Sequence, residues 1–323
     1  MSQKRTLHAF FTPAAKKTRL KEEEASDEPE KHSKHRHYPY PILDLPVSIS
    51  QGISSLPARQ GKEIKNQPNL DLLYFEPYIP RDLARDLFAF LRSELPFYRV
   101  EYKINRGGIQ TDVRTPRYTT VFGIDETSRF TEDGSIVDSK SGALVRDRRY
   151  DRYPPRPIPG CLDKLRRSTE AATGCTFNFC LVNYYASGAD SISFHSDDER
   201  FLGPEPAIAS FSLGARRDFV LKPKPKPPPT GHDPGTSPVG ETLKFPLASG
   251  HMILMRGLTQ SNWLHSVPKR GGKNPEDGGR INITFRKAIS KDGTENYYNY
   301  NVGTGPVYRW DRASQQMRVS SGP

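Results

Sequence analysis

An α+β chain, mainly β and organised as a jelly roll with flanking helices, is what this sequence predicts, on three observations. From Phe177 to Arg286, short β-rich runs are punctuated by turn residues. Upstream, Arg81 to Leu95 carries Leu83, Leu87, Phe88, Phe90 and Leu91 at helical spacing after Pro80, and Cys161 to Ala172 suggests a second helix. The run Arg280-Ile281-Asn282-Ile283-Thr284-Phe285-Arg286 alternates strictly between polar and apolar, so in an extended strand one face belongs to a core and the other does not.

In chain order, residues 1–65 are expected to form a disordered basic tail. Lys16-Lys17, Glu22-Glu23-Glu24 and the His/Lys cluster from 31 to 37 leave too little apolar surface to bury. Within the tail, Leu7, Phe10 and Phe11 of Lys4-Arg5-Thr6-Leu7-His8-Ala9-Phe10-Phe11 have the spacing of one short helical turn. The stretch resembles a sliding-clamp (PCNA) interaction box, with Lys4 standing where such boxes usually carry Gln. The adjoining Pro13-Ala14-Ala15-Lys16-Lys17-Thr18-Arg19-Leu20-Lys21 reads as an import signal, which implies the nucleus. Residues 66–290 read as one domain, inside which the Pro/Lys stretch from Lys222 to Pro238 suits a surface loop rather than a central strand. Residues 291–323, with Tyr297, Tyr298, Tyr300, Tyr308 and Trp310, form a C-terminal extension able to cap that domain.

Chemistry enters with Ser193-Phe194-His195-Ser196-Asp197-Asp198-Glu199. Residues i and i+2 of an extended strand point the same way, so His195 and Asp197 can present two ligands to one ion with Ser196 turned away. A second imidazole must come from downstream. His265 is preferred; His232, among Pro and Gly, and His251, at the start of an apolar run, are the alternatives. Two imidazoles and one carboxylate on one face of a metal leave positions open for a chelating co-substrate and dioxygen, as in non-haem Fe(II) oxygenases. A zinc hydrolase can use the same ligands. The 280–286 strand separates the two readings, because Arg280, Asn282, Thr284 and Arg286 share a face. Two arginines lining a cavity call for an anion, and a dicarboxylate fits them.

Five blocks occur in the order seen in the AlkB family of Fe(II)/2-oxoglutarate dioxygenases, which this chain resembles over about residues 95 to 288. They are Asn178 to Tyr185, the His-x-Asp-Asp-Glu run, Ile208 to Phe219, Trp263-Leu264-His265-Ser266, and Arg280 to Arg286. The nuclear DNA-repair branch, AlkB homologue two, is the nearest in look. The resemblance implies a double-stranded β-helix; iron on His195, Asp197 and His265; and Arg280 on the distal carboxylate of 2-oxoglutarate, helped by Asn183 and Tyr185. It also implies Asn282, Thr284 and Arg286 near the metal-chelating end, with O2 as the second co-substrate. Thr115 to Gly123 resembles the family's nucleotide-recognition lid, from which Arg117 and Phe122 carry over as base contacts. Just before it, where the duplex-repair branch inserts an aromatic wedge, this chain has Asn105-Arg106-Gly107-Gly108-Ile109-Gln110, and Ile109 is the apolar residue able to serve.

The implied function is oxidative demethylation of alkylated bases in DNA, 1-methyladenine and 3-methylcytosine being the type lesions. Such bases are cationic, so Asp198 and Glu199 are the acidic candidates for recognising them; the alternative is a solvated acidic turn pairing with Arg200. Lost Watson–Crick pairing also lowers the cost of flipping the base out. RNA or protein demethylation on the same centre, or a clamp-recruited non-catalytic scaffold, are the competing functions. With 323 residues and a net charge of +11, the chain suits a nucleic-acid partner. Arg217, just before Asp218, is expected to pair with a surface carboxylate. Cys161, Cys175 and Cys180 are odd in number and unpaired in spacing, as in a reducing compartment. Neither a membrane span nor a signal peptide is expected, and the protein is expected to act as a monomer.

Overall fold

The computed structural model describes residues 31–57, 60–225, 240–271, 279–289 and 305–320. Two antiparallel sheets organise them. The larger has seven strands, in the order Lys62–Ile64, Leu72–Phe75, Met252–Met255, Ile208–Gly214, Arg280–Arg286, Phe179–Tyr185 and Tyr118–Gly123. The smaller has four, in the order Ile192–His195, Trp263–Val267, Arg217–Pro223 and Leu243–Leu247. The crossovers from sheet to sheet are those of a jelly roll.

The pleat of the larger sheet sorts residues as alternation requires. Cys180, Val182, Tyr184, Ile281, Ile283 and Phe285 join one buried cluster with Ile49 and Ile53 of helix α1 (Val47–Ser54), Leu87 and Leu91 of α2 (Arg81–Glu94), and Leu162 and Leu165 of α3 (Gly160–Thr173). The helices therefore cover the sheet's outer face. On its inner face Leu181 and Tyr185 pack with Phe219, Leu221, Trp263 and Val267 of the smaller sheet. Helix α2 carries Asp82 in its first turn and Arg92 in its last, the charges its dipole favours. Helix α3 stops at Gly174, whose left-handed φ of 70° a side chain would resist.

The folded region starts earlier than the composition suggested. From Lys31 the chain belongs to the domain: His32–Ser33 pairs with Ile42–Leu43, and Tyr38, Ile42, Ile49 and Ile53 are buried. The correction has a simple cause. Averaging over 65 residues hid the apolar series Tyr38, Ile42, Leu45, Ile49 and Ile53, which covers the helical side of the sheet. The clamp-box residues Leu7, Phe10 and Phe11 and the basic run after them lie outside the described residues, as does His232.

The C-terminal strands Tyr308–Asp311 and Gln316–Val319 form a hairpin that packs on the domain. Tyr308 exchanges backbone hydrogen bonds with Phe97, and the Arg92 guanidinium lies 3.8 Å from the centre of the Trp310 ring. Arg114 Nη2 donates to the Tyr308 hydroxyl at 3.1 Å, tying this hairpin to the base of another. That second hairpin, Glu101–Arg106 with Ile109–Arg114, turns through Gly107 and Gly108, both at positive φ, the primed turn that matches strand twist. At its tip Ile109 is 72% exposed. Among the described residues, no helix is long and apolar enough to cross a membrane.

Candidate metal and co-substrate site

Strand pairing sets His195 directly opposite His265 on the smaller sheet, their ring centres 4.2 Å apart. Asp197 completes the cluster: one ligand atom from each residue lies within 4.8 Å of the others. Its alignment does not come from the strand, which ends at His195 after a register shift from Ile192. A buried side chain does the work instead. Gln260 Oε1 accepts the Asp197 backbone N–H at 2.9 Å, satisfying a buried donor that has left the ladder. The Gln260 amide in turn lies 3.2 Å from Met255 Sδ.

The donor set fits a divalent metal. His195 Nδ1 sits 2.8 Å from the Ser193 carbonyl, and since a carbonyl only accepts, Nδ1 is the donor there, which leaves Nε2 as the nitrogen able to offer itself to a metal. Burial pushes His265 down to about 3 although Asp197 pulls the other way, so its imidazole is neutral at physiological pH, the form that binds metal. Burial alone would raise the Asp197 carboxyl; the Arg286 guanidinium and the two imidazoles outweigh it and hold the carboxyl below the usual range. Arg286 Nη2 donates to Asp197 Oδ1 at 2.8 Å, which orients the carboxylate. His251 is elsewhere, its Nδ1 2.7 Å from the Tyr74 hydroxyl. That separates the two described candidates for the second imidazole.

Between the sheets, the cavity at this cluster is lined by Asn183, Tyr185, Arg280, Asn282, Thr284 and Arg286, with Leu181, Ile192, Phe219, Met255 and Val267 supplying apolar wall. The polar face of the 280–286 strand is thus buried too. Asn282 Nδ2 donates to Ser210 Oγ at 2.9 Å and to the Phe211 carbonyl at 2.8 Å, and Thr284 donates to the Leu181 carbonyl at 3.1 Å. Asn183 Oδ1 accepts from Thr119 at 3.0 Å and from Arg117 Nε at 3.2 Å.

Arg280 has the most donor capacity left over on this face. It is 1% exposed, and its Nη2 donates to Ser212 Oγ at 2.7 Å, yet Nε and Nη1 meet no acceptor among the described residues. Burial lowers its pKa to about 10, which still leaves it charged at neutral pH. A buried guanidinium with two idle donors costs several kcal/mol unless an anion arrives to pair with them. The cavity therefore fits a carboxylate at one end and a metal at the other.

Other expected contacts fall differently. Phe122 is fully buried on the helical side, 6.0 Å from the Tyr38 ring, and cannot touch a base in the cavity. Its neighbour Val121 faces inward, so the expectation was one residue out of register. Asp198 is exposed and pairs with Lys224 at 2.9 Å rather than with Arg200. Glu199 Oε1 lies 3.5 Å from Arg286 Nη1. Arg217 is buried rather than at the surface, and its guanidinium caps the carbonyls of Ser187, Asp190 and Pro268. Gln260, Ser210 and Ser212 were missed by sequence reasoning; no local motif marks a side chain whose partners lie some 60 to 70 residues away.

A family model described as the 2OG-Fe(II) oxygenase superfamily matches residues 71–286. The DNA oxidative demethylase ALKBH2 of Arabidopsis thaliana is 31% identical over 251 residues, 74% of this chain and 73% of that protein. The DNA oxidative demethylase ALKBH2 of Homo sapiens is 39% identical over 199 residues, 53% of this chain and 72% of that protein. The alpha-ketoglutarate-dependent dioxygenase alkB homolog 3 of Rattus norvegicus is 40% identical over 140 residues, 42% of this chain and 45% of that protein.

Proposed function

This chain belongs to the AlkB family within the 2OG-Fe(II) oxygenase superfamily, and from that premise we propose that it removes N-linked alkyl groups from DNA bases in the nucleus. It is an Fe(II)- and 2-oxoglutarate-dependent dioxygenase. The carrying observation is the pairing of the His195, Asp197 and His265 cluster with a buried Arg280 whose Nε and Nη1 await an anion in the same cavity.

When bound, iron and 2-oxoglutarate supply the activation of dioxygen that oxidises the alkyl carbon, with the co-substrate leaving as succinate and carbon dioxide and a methyl group as formaldehyde. The chain's own residues do the rest. His195, Asp197 and His265 would hold the metal, and Arg286, donating to Asp197 Oδ1, fixes the orientation of that carboxylate. Arg280 would hold the far carboxylate of the co-substrate, beside Tyr185, with Asn183, Asn282 and Thr284 lining the same cavity. The apolar wall from Leu181 to Val267 excludes water. Asp198 and Glu199 are the acidic groups assigned to a cationic base such as 1-methyladenine or 3-methylcytosine. Such a base has to compete with Lys224 for Asp198.

Formaldehyde release from either lesion in single-stranded DNA, duplex DNA and RNA tests the reading. Release should require 2-oxoglutarate and oxygen and favour DNA; turnover of RNA alone would overturn the substrate assignment.

The exposed Ile109 at the tip of its hairpin is suited to wedge into a base stack. Ile109→Ser is expected to lower turnover on a methylated duplex about tenfold, since a lost wedge forfeits roughly 1–2 kcal/mol of apolar burial, and to leave a single strand nearly unaffected. Equal rates on both strands before and after the change would remove the wedge from the mechanism.

Recruitment by a sliding clamp is inferred from the sequence of the tail. Phe10→Ala with Phe11→Ala should abolish capture by the clamp while oligonucleotide turnover stays at wild-type level, because a few apolar anchors dominate such peptide interfaces. Restoring Gln at Lys4 should tighten capture. A double variant that still binds the clamp as well as the parent would show the box to be a chance run.

A further inference from the structure

The segment 124–156 runs from the edge strand Tyr118–Gly123 towards α3 and folds back through the short hairpin Ser128–Phe130 and Ile136–Asp138. Its second half reads Arg146-Asp147-Arg148-Arg149-Tyr150-Asp151-Arg152. With Arg36 and His37 from the N-terminal segment, it walls an open groove of about 520 Å³. Ile136, Leu144, Pro154 and Pro155 also line it, and Leu144 is 53% exposed.

The groove is firmly built. Tyr150 donates to Asp125 at 2.7 Å and lies 2.9 Å from Ser128 Oγ, and His35 Nε2 sits 3.2 Å from the Gly134 carbonyl on the opposite side. Its acidic residues leave positive charge over. Asp147 is occupied by Arg149, which reaches it through Nε at 2.9 and 3.0 Å and Nη2 at 2.8 Å. Asp151 meets Arg148 only at 3.8 Å, between two exposed side chains, a contact worth little in water. Arg146 forms no ion pair among the described residues, and Arg36 has only the His37 ring, 3.3 Å from its Nε. Arg148 occupies a left-handed backbone position, φ 60°, which fixes where its side chain leaves the loop.

Three guanidinium groups with charge to spare, beside an apolar lining, suit a ligand with repeated negative charge and flat apolar faces. A small anion would leave the lining bare. A nucleic-acid strand presents both features. The position agrees: the edge strand that receives the 101–114 hairpin near Tyr118 delivers this segment at Gly123, five residue steps or about 17 Å along. The geometry points to this groove as an accessory site for the phosphate backbone of the DNA strand outside the catalytic cavity, with Arg36, Arg146 and Arg148 as its charged contacts. The inference rests on DNA being the substrate, and it adds a second place where the strand is held.

The test compares wild type with the triple variant R36A/R146A/R148A, using a methylated single-stranded 30-mer and a 5-mer methylated at its central base, which carries only two phosphates on either side of the lesion. Affinity for the 30-mer is expected to fall at least tenfold. The slope of log affinity against log salt should become shallower by about 2, three contacts at roughly 0.7 each. KM for the 5-mer and kcat on both should stay at wild-type values, and R36K/R146K/R148K should restore the slope. An unchanged slope overturns the proposal. So does an equal loss on 5-mer and 30-mer, which would mean that the arginines act through the fold. Polyglutamate competing as well as DNA of equal charge would also overturn it, assigning the groove to an acidic polypeptide. If wild type shows the arginine-dependent slope but releases no formaldehyde from any methylated DNA, the groove stands and the catalytic reading fails.

Discussion

Turnover is expected to fall below detection in His265→Ala, and the same variant should purify with little iron. Three protein ligands are the minimum that holds one face of the metal while leaving the rest open, so removing one breaks both binding and chemistry. His195→Ala and Asp197→Ala should behave alike. In Asp197→Ala there is a further penalty, because the Arg286 guanidinium loses the carboxylate that it meets at 2.8 Å. His251→Ala is the internal control. It loses a hydrogen bond to Tyr74 and some packing, but keeps iron. Metal content measured on the purified proteins decides the matter without reference to activity: iron retained in His265→Ala and lost in His251→Ala would exchange their roles.

The second large effect is expected at the opposite end of the cavity. Arg280→Ala should leave iron content unchanged and raise the 2-oxoglutarate requirement by about thirtyfold or more. Truncating one partner of a buried, hydrogen-bonded charge pair costs about 2–5 kcal/mol, and each 1.4 kcal/mol is a factor of ten. The change also removes a desolvated charge from the co-substrate-free protein. The variant should therefore be at least as stable as wild type without 2-oxoglutarate and gain less from its addition. Thermal denaturation with and without the co-substrate checks this. An unaltered requirement, or an equal stabilisation of both proteins by 2-oxoglutarate, would take Arg280 out of the co-substrate site.

What the sequence made legible follows from what a period of two can encode. The polar face Arg280, Asn282, Thr284 and Arg286 and the apolar face Ile281, Ile283 and Phe285 are separated by alternation alone, and the structure divides them between cavity and helix-covered core. His195 and Asp197 were visible as a pair, although the reason given for their alignment was incomplete: the strand ends at His195, and Gln260 rather than the ladder takes the Asp197 amide. Contacts of that kind join distant positions and leave no local pattern. Arg217 illustrates a second limit, since its partners are backbone carbonyls, which every residue has. Phe122 illustrates a third. Placing a motif one residue out of register exchanges the two faces of a strand, so an aromatic meant for the substrate turned out to support the core. The start of the domain was obscured because charge and histidine around 31–37 adjoin the buried series that begins at Tyr38.

The strand Arg280–Arg286 has both faces buried and carries at one end the guanidinium proposed to anchor the co-substrate, and at the other the one that meets the Asp197 carboxylate. Such a strand has no neutral way to shift. Adding or deleting one residue within it would reverse the facing of every residue on one side of the change, turning one of the two guanidinium groups into the helix-covered core and an apolar neighbour into the cavity, so the scaffold and the chemistry would fail in one step. Point changes on the inner face can adjust what is bound, and those on the outer face can adjust how tightly the helices sit, but the number of residues between Arg280 and Arg286 is not free to drift. Catalytic output from this protein is consequently a gauge of sheet alignment. In a library of insertions and deletions, the survivors should map to the loops and leave this seven-residue stretch empty.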